Sequence, residues 1–405
     1  MSAFVRGNRD LIKAMNRNLL LNIIRQHRFI TRKQLTDASG LSVGAVSQIV
    51  NELLNQGWLL EQDHDEDTGG RPRSILRLNP TAGYALGLKL MENRVVAAVT
   101  NFETDVLYYR DYNFDFDDNP NNLSRILASV IEITLAEARI DRDQLFGAGI
   151  GLAGVIYAQS GIVHHSPFFG WRDVPLAKLV QNRVELPIYV ENDVNTLTIT
   201  QQLFGAGYNR SHFIVVTVGR GIGMGMVING QLYQGAFGGA GEIGHNILWH
   251  GTGQTLEDVA ADPAVVQAVE SAKTLADVIA LANAGDSQAC QVLADSGTAI
   301  GVSLANIVNT IGPELIILSG EGIAAGDYRL QPMMAALRQY TFNGLLDRVE
   351  VVVEPTDDRA WARGAASVVI SKVFESPTVE ARVHVFSPQP PGPLVPEGEG
   401  GESRI

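Results

Sequence analysis

The stretch Gly238-Gly-Ala-Gly-Glu-Ile-Gly-His-Asn-Ile-Leu-Trp-His-Gly-Thr-Gly-Gln-Thr-Leu-Glu257 sets two acids and two histidines among six glycines. Glycine lets a backbone come close to a ligand and adopt positive φ angles that other residues avoid. We therefore predict that Glu242, His245 and Glu257 point polar groups at one small polar molecule. The alternative is a glycine-rich turn after a hairpin with acids on its surface, because short glycine motifs occur often by chance.

Polar or glycine-rich segments also follow the predicted strands on either side of this stretch. Asn192 and Asp193 end one strand, the glycine ribbon Gly219–Gly225 ends a second, and Gly320 ends a third. Three strands, helix, strand, helix, strand, helix is the predicted order, and it occurs twice. This order predicts an actin-like (ribonuclease H-like) two-lobed α/β fold with a ligand in the cleft, since such folds place polar site residues at the carboxyl ends of strands.

The same pattern gives the domain boundaries. We predict an N-terminal domain over residues 1–80, a first α/β lobe over 81–200 and a second over 201–375, with the last helix, 359–374, returning to the first lobe. Residues 161–171 are predicted to form a loop. Residues 376–405 are rich in Pro, Gly and Glu and cannot bury enough apolar surface to fold, so we predict a disordered tail.

Composition and charge narrow the function. The 405 residues carry a net charge of −13, yet residues 1–78 hold 11 Lys and Arg against 8 Asp and Glu. A basic head on an acidic body predicts an anionic partner for the head. The longest apolar runs are too short to span a bilayer, and the first residues lack a signal peptide, so we expect a cytoplasmic protein with no membrane partner. One cysteine, Cys290, excludes an internal disulfide and a cysteine-rich zinc cluster.

The head has the pattern of a winged helix-turn-helix. An amphipathic helix over 9–27 is followed by a second helix that begins at Thr31 and stops at Gly40, and by a third helix capped by Ser42. Two short helices joined by a glycine turn are typical of helix-turn-helix DNA-binding domains. A protein-binding three-helix scaffold is the alternative.

The predicted DNA contacts come from three segments. Small or polar residues open the third helix and would enter the major groove, where the Gln48 amide can pair with adenine. Two basic residues open the second helix and would touch phosphates. Two arginines lie on the extended wing Thr68–Arg73, which suits the minor groove of A·T-rich sequence. In chain order these residues are Arg32, Lys33, Ser42, Val43, Gly44, Ala45, Ser47, Gln48, Arg71 and Arg73.

Together these motifs resemble the ROK family, which contains sugar kinases and repressors of sugar-catabolic genes such as the xylose, glucose and N-acetylglucosamine repressors. The resemblance covers about residues 9–374, and its most specific part is Ala240-Gly-Glu-Ile-Gly-His245 followed by Leu256-Glu257. It implies a sugar-kinase fold in which polar side chains bind sugar hydroxyls. Carried over to this chain, they are Asn192, Asp193, Glu242, His245 and Glu257.

Two departures from the family pattern matter. The family's kinases carry an Asp-x-Gly-Gly-Thr turn that holds ATP phosphates, but here that position reads Gly87-Leu-Lys-Leu-Met-Glu-Asn93, so we expect no catalysis and no ATP requirement. The family's zinc-binding cysteines are missing between His245 and Glu257, so we expect no zinc and predict that Leu248 and Trp249 hold this loop by packing.

The sequence therefore predicts a sugar-responsive DNA-binding repressor of carbohydrate-uptake or catabolic genes. We expect a homodimer, or a dimer of dimers, on a pseudo-palindromic operator with A·T-rich parts, and a monosaccharide effector, with xylose as one candidate. An ATP-dependent hexokinase is the main alternative, because the glycine ribbon is retained. A DNA-binding protein that ignores sugars is a third.

Overall fold

The structure is a computed structural model that describes residues 9–64, 73–249, 251–375 and 402–404; of residues 63, 64, 73, 249 and 402–404 it describes only the backbone. The chain divides into two compact units. Unit 1 lies within residues 1–150, 177–189 and 365–405, and unit 2 comprises residues 151–176 and 190–364. This division differs from the predicted one in two ways. The N-terminal module shares unit 1 with most of the first lobe, and residues 151–176 and 190–200, predicted in the first lobe, belong to unit 2.

The N-terminal module is a winged helix-turn-helix. It consists of α1 (Arg9–His27), β1 (Ile30–Thr31), α2 (Arg32–Ser39), α3 (Val43–Asn55), β2 (Leu59–His64) and β3 (Arg73–Leu78), with the strands in the antiparallel order β1-β3-β2.

Local chemistry sets the ends of its helices. The Thr31 hydroxyl accepts a hydrogen bond from the backbone N–H of Gln34, whose side chain in turn accepts one from the Thr31 N–H, so α2 begins at a capping box. Gly40 ends α2 with a left-handed φ of 67°. The Ser42 hydroxyl accepts from the Ala45 N–H and starts α3. The predicted helix starts and stop are thus confirmed.

An aromatic cluster explains why the module belongs to unit 1. The Trp58 ring lies 5.5 Å, centroid to centroid, from both Phe102 and Phe146, and Phe102 stacks on Phe374 at 5.3 Å. The Asn22 side chain of α1 donates a hydrogen bond of 2.8 Å to the Phe374 carbonyl. We name Trp58, Phe102, Phe146 and Phe374 the aromatic junction. Because buried aromatic rings contribute large apolar areas, this junction fixes the module to the rest of unit 1.

The remaining elements follow the predicted order closely. The strands are β4 (Tyr84–Leu90), β5 (Arg94–Thr100), β6 (Val106–Asn113), β7 (Leu145–Leu152), β8 (Val155–Tyr157), β9 (Ile162–Ser166), β10 (Trp171–Val174), β11 (Ile188–Asn192), β12 (Phe213–Val218), β13 (Ile222–Ile228), β14 (Gln231–Leu232), β15 (Ile247–Trp249), β16 (Gln254–Thr255), β17 (Leu315–Ser319), β18 (Glu350–Val353) and β19 (Glu402–Arg404). The helices are α4 (Pro120–Ala138), α5 (Leu176–Val184), α6 (Asp193–Phe204), α7 (Leu256–Ala260), α8 (Asp262–Gln267), α9 (Leu275–Asn283), α10 (Ser287–Ile311), α11 (Asp327–Tyr340) and α12 (Asp358–Phe374). None of these described helices is both long and apolar enough to cross a bilayer.

Two larger sheets organise these elements. One has the strand order β11-β7-β4-β5-β6-β19, and the other has the order β14-β13-β12-β17-β18. In the second sheet β12 and β17 pair in parallel, and both are completely buried. Their side chains pack with α10 in one apolar core that includes Val216, Leu318 and Leu304.

The structure corrects two predictions. The predicted loop 161–171 instead contributes β9 and β10, which pair with β8 in a three-stranded antiparallel sheet. These strands are too short to show a clear alternation of apolar and polar residues. In the predicted disordered tail, Glu402–Arg404 forms β19 and pairs in parallel with β6, because the outer edge of β6 offers backbone groups for pairing. Residues 376–401 lie outside the described chain.

Candidate functional site

Asn192 and Asp193 lie where β11 passes into α6. Asn192 is the N-cap of α6, and its Oδ1 accepts from the N–H groups of Val194 and Asn195 at 2.9 and 3.2 Å, while its Nδ2 donates to the Gly154 carbonyl at 3.0 Å. The Asp193 side chain is 9% exposed and its Oδ1 accepts from the Val194 N–H at 2.9 Å. Both predicted site residues are therefore held in place by the helix terminus.

Glu191, immediately before them, organises this corner of unit 2. It is buried, and its Oε1 accepts from the Asn192 N–H at 2.8 Å and from the Asn195 amide at 3.1 Å. Its Oε2 accepts from the Gln234 amide at 2.6 Å. The sequence alone predicts no role for Glu191. Its position, an acid at the polar end of an apolar strand, is nevertheless typical of a residue that organises a site. It ties the start of α6 to the loop that leads into the glycine stretch.

The glycine stretch brings Glu242 and His245 to the same region. Residues Ile243–His245 form one turn of 3-10 helix, and the His245 Nε2 lies 3.9 Å from a Glu242 carboxylate oxygen. The Glu242 side chain is 43% exposed. Even so, the surrounding protein removes part of its hydration and raises its pKa above the usual value; His245 opposes this rise, and the charges of Asp193 and Glu257 add to it. Three of the predicted sugar ligands, Asp193, His245 and Glu257, are therefore within electrostatic reach of a fourth, Glu242.

Glu257 lies in the first turn of α7 and faces two glycine segments. Its Oε1 accepts a hydrogen bond of 2.7 Å from the Ile222 N–H. A Cβ atom on Gly221 would lie 2.9 Å from that oxygen, and one on Gly244 would lie 2.5 Å from it. The Glu257 carboxylate thus occupies the space beside both glycines, and one of its oxygens is already used by the fold.

The glycine ribbon has a packing role as well. Gly223 and Gly225 lie in β13, and a Cβ atom on either would meet α6, at Val194 or at Thr198. Close approach of a helix to a strand therefore accounts for these glycines without a nucleotide.

The segment that replaces the kinase phosphate turn is regular secondary structure. β4 continues to Leu90 and pairs antiparallel with β5, and the Met91 N–H donates to the Arg94 carbonyl at 2.9 Å to close the hairpin. Leu88 and Leu90 are buried. A phosphate-binding turn points its N–H groups at the ligand, whereas the Met91 N–H is used inside this hairpin.

The donor set does not fit the zinc site of the family. Cys290 lies in α10 and its Sγ contacts the Ala282 carbonyl at 3.7 Å. Among the described residues, no three His, Cys, Asp or Glu side chains come together as metal ligands. His250 lies outside the described chain. Leu248 packs against the core of unit 2, as predicted, whereas the Trp249 side chain is not described.

The predicted DNA-reading surface lies at the start of α3. Ser42, Val43, Gly44 and Gln48 are exposed, with Val43 70% exposed, and Ala45 and Ser47 are half-buried. No described atom lies within 4 Å of a Cβ built on Gly44, so this face is open. Val46, Ile49 and Val50 on the opposite face are buried. Helix α3 therefore exposes small and polar side chains on one face, while its opposite, apolar face is packed in the core of the module.

The basic residues of the module differ in their surroundings. Lys33 is exposed on α2. Arg32 forms a two-pronged ion pair with Glu61, at 3.0 and 3.1 Å, and donates to the Asn51 side chain at 3.0 Å. It thereby links α2, α3 and β2, and its contact with phosphate stays a prediction. Arg71 lies outside the described residues, and Arg73 begins β3 with its side chain undescribed.

Comparisons with known proteins agree with this arrangement. A ROK family model matches residues 86–372, and a winged helix-turn-helix DNA-binding model matches residues 16–59. The xylose repressor of Bacillus subtilis (strain 168) is 27% identical over 383 residues, which cover 92% of this chain and 99% of the repressor. The DNA-binding transcriptional dual regulator NagC of Escherichia coli (strain K12) is 26% identical over 384 residues, which cover 90% and 94%.

A solved structure shows the same fold over nearly the whole chain. The crystal structure of a ROK family transcriptional regulator, a homologue of the E. coli MLC protein, superimposes with a TM-score of 0.79 at 22% identity and covers 91% of this chain and 98% of that one. A winged helix-turn-helix followed by an actin-like sugar-kinase fold defines a class of two-part DNA-binding regulators. Because the family match spans well over half of its residues, the chain belongs to the ROK family.

Proposed function

We propose that the chain is a sugar-responsive transcriptional repressor of carbohydrate-uptake or catabolic genes. The observation that carries the proposal is the presence, in one chain, of an open recognition helix and a cluster of sugar-type ligands around Asp193. The recognition helix binds operator DNA. A monosaccharide bound by the cluster changes the affinity for that DNA.

The chemistry of the cluster suits a sugar. Each hydroxyl of a pyranose both donates and accepts hydrogen bonds. The carboxylates of Asp193 and Glu242 accept, the His245 ring can do either, and the second Glu257 oxygen adds an acceptor. Asn192 has one amide hydrogen left after its bond to the Gly154 carbonyl.

The chain acts as a regulator and not as a kinase. The relatives named above are repressors or regulators with the same two parts, and the β4–β5 hairpin replaces the phosphate turn. The alternative, an ATP-dependent hexokinase, requires sugar-dependent ADP release. A coupled assay across a panel of hexoses and xylose that detects turnover would establish the kinase instead.

We further propose that the protein acts in the cytoplasm as a homodimer, or a dimer of dimers. A twofold axis would set two recognition helices on a pseudo-palindromic operator, with Arg71 and Arg73 in A·T-rich minor grooves. Sedimentation of the free protein and of its operator complex gives the stoichiometry, and a monomer on DNA would contradict this part.

We propose that neither zinc nor ATP is needed. Operator binding should be the same with and without a chelator, because no thiolates hold the loop before Glu257. Stoichiometric zinc in the purified protein would overturn this.

The direct test measures operator affinity with and without single sugars. Wild-type protein selects its site from a randomised duplex library, and a mobility-shift titration then follows binding with xylose, glucose or N-acetylglucosamine. A tenfold change in affinity corresponds to about 1.4 kcal/mol of coupling, and the sugar affinity must change by the same factor when DNA binds. If no sugar alters operator affinity and Asp193→Ala does not alter it either, the effector proposal fails. If calorimetry detects no heat of binding for any sugar, the chain is better explained as a DNA-binding protein that does not respond to sugars.

A further inference from the structure

The recognition helix carries an acid in direct contact with its predicted reading residue. Gln48 and Glu52 are one turn apart on α3, and the Gln48 Nε2 donates to the Glu52 Oε1 at 3.1 Å. From α1, the Lys13 Nζ donates to the same carboxylate at 2.9 Å and lies 2.8 Å from its second oxygen. A carboxylate beside a DNA-facing surface repels phosphates, so its presence there requires a reason.

The charge state of Glu52 determines which way the amide of Gln48 faces. The hydrogen bond from Lys13 lowers the pKa of Glu52, and the bond from Gln48 and the nearby Arg17 lower it too. The carboxylate is therefore ionised at neutral pH and can only accept. The Gln48 nitrogen must point at Glu52, which leaves the amide oxygen and the second N–H of the nitrogen for other partners.

We propose that Glu52 is a positioning residue that fixes the Gln48 amide and so selects adenine over guanine at one operator base pair. The inference rests on the proposed DNA-binding function. The fixed amide offers one acceptor and one donor, which match the adenine N6 and N7 groups. An amide free to rotate could offer both N–H groups to guanine, whose N7 and O6 both accept. Glu52 prevents that rotation because it cannot donate to the amide oxygen.

Lys13 has a distinct part in this arrangement. It neutralises Glu52, so the acid contributes little net repulsion to the DNA phosphates. It also holds the carboxylate from the side of α1. Loss of Lys13 therefore weakens binding to every sequence and loosens the Gln48 amide less than loss of Glu52 itself.

The test compares base preference among variants of the full-length protein. Wild-type protein selects duplexes from a randomised library, and Gln48→Ala identifies the base pair at which preference depends on Gln48. Competition titrations then measure the adenine-to-guanine ratio of affinities at that base pair. We expect Glu52→Ala to reduce this ratio by about tenfold, since a bidentate base contact sets discrimination of that order. We expect Glu52→Gln to retain part of it, because a glutamine oxygen can still accept from Gln48.

A matched control separates positioning from charge. Asp37→Ala removes one exposed negative charge from α2 and should raise affinity for all duplexes alike, with the base preference unchanged. If Glu52→Ala behaves in the same way, or lowers the affinity for all duplexes alike with the preference intact, the inference is wrong. If wild-type protein selects no sequence at all, the proposed function itself fails, and the two outcomes are thereby distinguished.

Discussion

At the scale of single residues, Asp193 is the most deeply enclosed of the five predicted sugar ligands. It is buried, whereas Glu242 and His245 are exposed and Asn192 and Glu257 are half-buried. Its position at the start of α6 lets the Val194 N–H donate to its Oδ1 at 2.9 Å.

Replacing Asp193 with asparagine should weaken sugar binding and leave sugar-free DNA binding unchanged. A hydrogen bond to a charged group contributes about 1.5–3 kcal/mol, so we expect the dissociation constant for the effector to rise by about 10- to 100-fold. Calorimetry with the effector identified by mobility shift measures this. An unchanged sugar affinity would remove Asp193 from the site.

Glu242 gives a prediction about pH. Its pKa is raised in the folded protein, so the folded state binds the proton more tightly than the unfolded state does. Above that raised pKa the ionised carboxylate lowers the free energy of unfolding. This destabilisation disappears as the pH falls below the raised pKa, because the carboxyl group is then protonated in the folded state. Glu242→Gln should therefore raise the melting temperature of the sugar-free protein at neutral pH yet weaken sugar binding. Sugar affinity of the wild type should fall as the pH drops toward the usual range of a glutamate, and the variant should lack this dependence.

The roles of residues were harder to predict from the sequence than their positions. That Glu242 and Glu257 lie in one region was predictable, because both belong to a single short motif beside a predicted strand. The sequence did not show that Arg32 pairs with Glu61, because the two are far apart along the chain and meet only when β2 packs beside α2 and α3. Glu191 was missed for a similar reason, since its partner Gln234 comes from another element.

At the scale of elements, the contact between α6 and β13 places the start of α6. Gly225→Ala would push a methyl group into Thr198, so we expect a loss of about 1–3 kcal/mol in the free energy of unfolding. Denaturant unfolding measures it.

Gly251→Ala is the matched control, because no described atom lies within 4 Å of a Cβ there and its φ is not left-handed. The control should leave the stability nearly unchanged. Equal effects from the two substitutions, or rescue of Gly225→Ala by ATP, would contradict the packing role of the ribbon.

Most elements were predictable because their apolar periodicity is strong. The fully buried strand β12 and the amphipathic helix α1 are examples. The sheet β8-β9-β10 was not, because three-residue to five-residue strands carry too little pattern. Its pairing depends on neighbouring backbone and not on side-chain alternation.

At the scale of the whole molecule, the aromatic junction joins segments from opposite ends of the folded chain. Phe374 is 7% exposed, and Phe374→Ala should lower the free energy of unfolding by about 3–5 kcal/mol. It should also weaken operator binding, because α1 loses a surface on which it rests. Phe342→Ala is the control, since Phe342 is 74% exposed and should affect neither. Denaturant unfolding and mobility shift with the selected operator check both variants, and a Phe374 variant with full operator affinity would contradict the link.

The order of elements along the chain was enough to predict both the winged module and the actin-like part. The aromatic junction was not predictable, because nothing local to Trp58 or to Phe374 indicates that both rings pack against Phe102. Only the folded structure shows that the N-terminal module packs within unit 1 and is not an independent domain on a linker.

The junction has a consequence for how the protein is made. The segment around Trp58 leaves the ribosome before Phe374 by roughly tens of seconds at ordinary rates of synthesis. Until α12 emerges, the growing chain carries a DNA-binding head whose helix α1 lacks its contacts with Phe374. A chain shortened by premature termination therefore lacks the contact that holds α1 in place. Such fragments should bind the operator more weakly than the full-length protein does.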